Sequence, residues 1–128
     1  MNTQDKLDKQ IGTKESVKYQ AGSFIVKAVS IEAVKNKKGD AVGEKVTLSI
    51  QHPDAQDLVA LSSASYLKNR GLKQSALWYN EDIDENIVKN SALAEVMNFY
   101  KVTSIKQFTG KVINVEVDDR GYLCIKAY

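Results

Sequence analysis

Apolar and polar residues alternate along this chain with two different periods, and its last third shows both. Leu93, Val96, Met97 and Tyr100 fall at i, i+3, i+4 and i+7, which gathers them on one stripe of a helix. Asn90 or Ser91 precedes the stripe and offers a short polar side chain to cap the first free N–H groups. Beyond Gly110 the period becomes two. Ile113, Val115 and Val117 face one way along a strand, and Val112, Asn114 and Glu116 the other. Asp118, Asp119, Arg120 and Gly121 turn the chain, with Gly121 free to adopt positive φ. A closing strand over 122–128 puts Leu123, Ile125 and Ala127 on one face and Tyr122, Cys124, Lys126 and Tyr128 on the other. A helix feeding a terminal hairpin suits a small barrel with one end plugged.

The preceding residues supply the partners of that hairpin. Positions 1–17 are polar apart from a few apolar residues such as Leu7 and Ile11. They predict a flexible arm rather than a short amphipathic helix. From Ser23 to Val34 the chain is dense in β-branched residues, which predicts a long strand buried on both faces at its start. Gly39 centres a turn, and a second strand follows with Val46, Leu48 and Ile50 on one face and Lys45, Thr47, Ser49 and Gln51 on the other. Pro53 ends it. Residues 58–67 fit either a strand or a helix opened by Pro53, and extended structure is favoured. Lys68, Asn69, Arg70 and Gly71 form a basic turn, residues 74–79 a strand, and residues 81–86 an acidic turn. The predicted order is three strands, a helix and two strands. That is the order of a five-stranded Greek-key barrel of the OB type, with its one helix between strands 3 and 4, spanning 18–128.

Length and charge narrow the class. The chain has 128 residues, one domain's worth, and a formal net charge of +2, too small to identify a partner by itself. A single cysteine, Cys124, excludes a disulfide within these residues, and no apolar run is long enough to span a bilayer. With no apolar leader at the start, the expectation is a soluble cytoplasmic protein that makes no membrane contact. Catalysis finds little support. His52 is the one histidine, expected at the surface beside Pro53, and Cys124 has no histidine near it in sequence. There is no glycine-rich phosphate loop. The acidic turn of Glu81, Asp82, Asp84 and Glu85 lacks the sharp-turn glycine of an EF-hand loop. The expectation is a non-enzyme with no catalytic residues, no metal and no cofactor.

Binding is better supported. Cations concentrate in two loops, one with Lys35, Lys37, Lys38 and Lys45, the other with Lys68, Arg70 and Lys73. On an OB barrel such loops border a groove, where they would track a phosphate backbone. Tyr66, Trp78 and Tyr79 flank the second loop, and aromatic rings stack on bases of any sequence. Trp78 and Tyr79 are adjacent, so on a strand only one of them reaches the groove.

The residues Ser75, Ala76, Leu77 and Trp78, the acidic turn, and then Lys89, Asn90, Ser91, Ala92, Leu93 and Ala94 resemble the small OB-fold single-stranded-DNA-binding proteins of phages that infect Gram-positive bacteria. The run 99–105, Gly110-Lys111-Val112 and Gly121-Tyr122-Leu123 extend the likeness, which covers about 19–128. The resemblance implies sequence-independent binding of single-stranded DNA during phage replication or recombination. It further implies a homo-oligomer, a dimer first, with replication or recombination proteins as further partners. Carried onto this sequence, the groove residues are Lys35, Lys37, Lys38, Tyr66, Lys68, Arg70, Lys73, Trp78 and Tyr79. Bacterial relatives recruit partners through an acidic tail, and a chain ending at Tyr128 is expected to use another surface. The alternative expectation is an OB-fold protein-interaction module, or a phage structural component, with no nucleic-acid ligand.

Overall fold

The structure, a computed structural model, describes residues 19–128. The arm expected over 1–17, and the alternative helix carrying Leu7 and Ile11, lie outside the described residues.

The β-branched run makes one long strand, β1 (Gly22–Lys35), followed by β2 (Ala41–Ile50). β1 is too long for one neighbour. Its first residues, Gly22 to Ile25, pair with β7 (Val112–Val117), and from Val26 onward it pairs with β2. A register shift between Val26 and Ala28 marks the changeover, as a bulge does where a strand bends. The middle of the chain is extended, as favoured, in four pieces: β3 (Val59–Leu61), β4 (Ser63–Lys68), β5 (Gly71–Ala76) and β6 (Trp78–Tyr79). The helix α1 (Ala92–Phe99), a 3₁₀ turn (Ile105–Phe108), β7 and β8 (Leu123–Ala127) complete the fold. The architecture is mainly β.

The strands lie in the order β3-β2-β1-β7-β8-β4-β5, with β6 also paired to β2. All neighbours are antiparallel except β4 and β8, so the sheet is mixed. The expected five strands are therefore eight in the structure, and the physical reason lies in the middle segment. At Ser62 the strand that begins against β2 swings over to β8. After the Asn69–Arg70 turn the chain doubles back as β5, and Leu77 carries it across to β2 as β6. Leu77 makes both connections: its N–H bonds to the Ser62 carbonyl at 2.8 Å, and its carbonyl accepts from Val46 at 2.8 Å. Asn69 and Arg70 both have positive φ, 52° and 65°, as a two-residue hairpin turn of this hand requires.

The core follows the apolar pattern. Val46, Leu48 and Ile50 of β2, Ile113 and Val115 of β7, and Ile125 of β8 are buried together with Leu93, Val96 and Met97 of α1 and with Phe108. Ser91 caps the helix, its hydroxyl accepting the Ala94 N–H at 3.1 Å. Tyr100 ends the helix and reaches across to the sheet. Its hydroxyl accepts the Asn114 N–H at 2.9 Å and donates to the Lys126 carbonyl.

Two expectations are corrected. Two-sided burial at the start of β1 is not found: Val26 is buried but Ile25 is 46% exposed. The β-branched density there reflects fit to a pleated strand with one covered face. His52 is not a surface residue but is 3% exposed. Its Nδ1 accepts the Asp54 N–H at 3.1 Å. Its Nε2 donates to the Gln20 carbonyl at 3.0 Å. Its ring also packs against Tyr19 and Phe24. Among the described residues, no helix is long and apolar enough to cross a membrane.

Candidate nucleic-acid interface

The β2–β6 pairing aligns Trp78 with Lys45 and Tyr79 with Glu44, and the β1–β2 pairing aligns Lys45 with Glu32 and Gly43 with Val34. Directly opposed residues face the same side of a sheet. Trp78, Lys45 and Glu32 thus form one row on the face away from Val46, Leu48 and Ile50. Trp78 is 37% exposed there. Its ring lies over Gly43, close enough that a β-carbon at that glycine would stand 3.2 Å away.

Tyr79 takes the other face, as strand alternation demands. It packs against the core and donates its hydroxyl proton to Glu81. That hydrogen bond, more than burial or charge, raises the phenol above its ordinary pKa. Tyr79 lines a cavity of about 540 Å³ with Ile31, Ile87, Met97 and Ser104. The Ser104 hydroxyl is buried without a partner among the described residues.

The first basic loop is well formed. The Asn36 side-chain oxygen accepts the N–H groups of Lys38 (2.9 Å) and Asp40 (3.0 Å), and Gly39 has a φ of +85°. This leaves Lys35, Lys37 and Lys38 exposed at the hairpin end, a few residues beyond Gly43 and the Trp78 ring.

The second loop is differently placed. Lys68 donates from Nζ to the Asn90 carbonyl at 2.7 Å, tying the β4–β5 turn to the approach of α1. Arg70 sits in the turn itself, and Lys73 is exposed on β5 opposite Tyr66. Tyr66 is 9% exposed and belongs to the core, so its ring has no free face for a base. Arg70 lies eight residues from Trp78, or about 25 Å along an extended chain. The nine candidates therefore fall into three groups: Lys35, Lys37, Lys38 and Trp78 around one end of β2; Lys68, Arg70 and Lys73 at the far end of the β4–β5 hairpin; and Tyr66 and Tyr79 packed against the core.

Two residues outside the candidate set belong to the first group. Lys45 lies beside Trp78, and Gly43 beneath it. The alternation of β2 put Lys45 on the wet face, but only the pairing with β6 brings the indole there.

The remaining chemistry-bearing groups are occupied locally. Cys124 is fully buried, and burial raises its thiol pKa, although contacts with Ser65 and Gln74 lower it somewhat. In the acidic turn, Asp82 accepts the N–H groups of Asp84 and Asn86. Among the described residues, no three His, Cys, Asp or Glu side chains converge as metal ligands.

No family model, curated protein or solved structure matches this chain. The likeness to phage single-stranded-DNA-binding proteins rests on the residue pattern alone.

Proposed function

We propose that this chain binds single-stranded DNA without sequence specificity, on a sheet that closes as an OB-type barrel. The barrel reading is supported by one residue. β3 stands at one end of the strand order and β4 next to the other, yet only Ser62 separates them in the chain. Taken as one bent strand, β3 and β4 join β2 to β8 and close the ring β1-β2-β3/β4-β8-β7. The parallel contact of β4 with β8 and the position of α1 before β7 suit the same topology.

The observation that carries the binding reading is the exposed Trp78 seated over Gly43, beside Lys45 and near the lysines of the β1–β2 turn. An indole with an open face stacks on any base, and neighbouring cations neutralise the backbone phosphates. Glu32 in the same row opposes very close approach of phosphate at that point, so the lysine turn is the main electrostatic contact. A role in phage DNA replication or recombination is supported only by the sequence resemblance.

Trp78 is the sole tryptophan, so its emission reports this site directly. Titration with poly-dT at low salt should quench it. High salt should reverse the quenching, and duplex DNA should leave it unchanged. If neither fluorescence nor gel shift detects poly-dT at low salt, the reading fails.

A further inference from the structure

The cavity beside Tyr79 plays no part in DNA binding as proposed above. At about 540 Å³ it is the size of a ligand pocket rather than of a packing fault. Its apolar wall is drawn from β1 (Ile31), β6 (Tyr79), the end of the acidic hairpin (Ile87), α1 (Met97) and the loop after it (Val102). Tyr79 and Trp78 face opposite sides of β6, so the cavity lies on the side of the sheet away from the indole.

The charge around it has one sign. Glu85 lines the cavity, and among the described residues no lysine, arginine or histidine does. Glu44 stands directly across from Tyr79 on β2, and Glu81 accepts the Tyr79 hydroxyl. A phosphate backbone is repelled here, and a cation is attracted. Ser104, also in the wall, has an uncommitted hydroxyl. It precedes the 3₁₀ turn, where a serine ordinarily caps, yet it makes no cap bond. Its oxygen is buried without a partner among the described residues. A rotation about χ1 would offer that hydroxyl to an N–H or C=O group in the cavity and relieve the cost of leaving it unpaired. Ile83 carries the site beyond the cavity. It belongs to the hairpin that supplies Glu85 and Asn86 to the wall, and it is 97% exposed. The Asp82 carboxylate holds the N–H groups of Asp84 and Asn86, so Ile83 is presented on a fixed turn. A small cation in the cavity would leave Ile83 in water, whereas a longer chain crossing the hairpin covers both.

We infer that this cavity docks a segment of another protein that inserts one large apolar side chain flanked by lysine or arginine. The apolar side chain lies against Ile87 and Met97. The flanking cations meet Asp84 and Glu85, and a backbone group of the segment pairs with the Ser104 hydroxyl. The site does not rest on the single-stranded-DNA reading, and its place behind Trp78 leaves both faces usable at once.

Amide NMR of the isotope-labelled full chain, titrated without DNA, tests the site. The probes are short peptides with leucine, phenylalanine or tryptophan between pairs of lysines. The controls are the same peptides with a central serine, the same peptides with glutamates in place of lysines, and hexylamine. With at least one apolar-centred lysine peptide, the resonances of Ile31, Ile87, Met97 and Ser104 should move while that of Trp78 stays. Every control should bind at least about tenfold more weakly. Joint Asp84→Lys and Glu85→Lys, at exposed positions, should weaken the peptide by about tenfold or more. Ala94→Leu, which reaches into the cavity from the half-buried side of α1, should do the same without lowering Tm. Ser104→Ala should raise Tm and weaken the peptide; a serine with only a structural role would give the first effect alone. The inference is overturned if no peptide moves the cavity resonances at millimolar concentration, or if a serine-centred peptide or hexylamine binds equally well. It is overturned too if the charge reversal and Ala94→Leu both leave the affinity unchanged. Cavity resonances that move on dilution of the free chain would show the chain occupying its own site, and would overturn the separate partner. Failure of poly-dT to quench Trp78 would leave this result standing and remove the DNA reading alone.

Discussion

The Trp78 indole packs directly over Gly43: a β-carbon at that glycine would stand 3.2 Å from the ring, so the indole would have to give by a few tenths of an ångström. Gly43 also has a φ of +150°, a conformation that L side chains rarely adopt. Both constraints act against Gly43→Ala. The variant should lose about 1–3 kcal/mol of stability in urea titration, the usual cost of a strained backbone residue. Its tryptophan emission should shift as the ring is displaced. Unchanged emission and midpoint would mean that the glycine does not set the indole's position.

How far the sequence could lead to this site depends on the range of the interactions involved. The helix stripe, its Ser91 cap and the closing hairpin are local patterns, and each appears in the structure where the apolar period put it. The burial of Val46, Leu48 and Ile50 likewise follows from alternation. In the middle segment the basic turn at 68–71 was legible, but 58–67 only as favouring extended chain and 74–79 only as a single strand. Its division into four strands depends on Ser62 and Leu77 exchanging partners between β2, β4 and β8, which no local pattern encodes. The same non-local pairing sets Trp78 beside Lys45. Its position beside the second basic loop placed Tyr66 among the binding aromatics, but its strand phase, shared with the buried Ala64, turns it into the core.

Tyr100 fastens the end of α1 to the closing hairpin through the Asn114 N–H and the Lys126 carbonyl. Tyr100→Phe leaves both backbone groups short of a partner and should cost about 1–3 kcal/mol. Burial raises the Tyr100 phenol above its ordinary value of 10.0, against a smaller lowering by the Asn114 hydrogen bond. The fold thus favours the neutral phenol. That contribution is complete below pH 10 and is lost as pH rises through the raised folded value. Urea midpoints should therefore fall more steeply above pH 10 in the wild type than in Tyr100→Phe. Parallel profiles would remove Tyr100 as the source of alkaline lability.

Cys124 is fully buried, and burial is the main cause of its raised thiol pKa. The thiolate is the reactive form, so the native protein should resist an aromatic disulfide reagent at neutral pH. Denaturant should make the same thiol react rapidly. Prompt native labelling would show that the outer face of β8 opens readily, and the packing around Ser65 and Cys124 would need revision.

The salt dependence of DNA binding separates the two basic loops. Lys37 and Lys38 are exposed at the hairpin end nearest Trp78, whereas Lys68 is engaged with the Asn90 carbonyl. Each lysine that contacts a phosphate should contribute about 0.7 to the slope of log K against log salt for a single strand. Joint Lys37→Ala and Lys38→Ala should flatten that slope while leaving thermal stability unchanged, because neither side chain packs against the fold. Lys68→Ala should instead lower stability with little effect on the slope, since its ammonium group joins a turn to the start of a helix. Fluorescence titrations of Trp78 at several salt concentrations, run beside thermal melts, measure both quantities. If the slope changes with Lys68 and not with Lys37 and Lys38, the strand follows the β4–β5 turn, and the groove must be redrawn around the other end of the sheet.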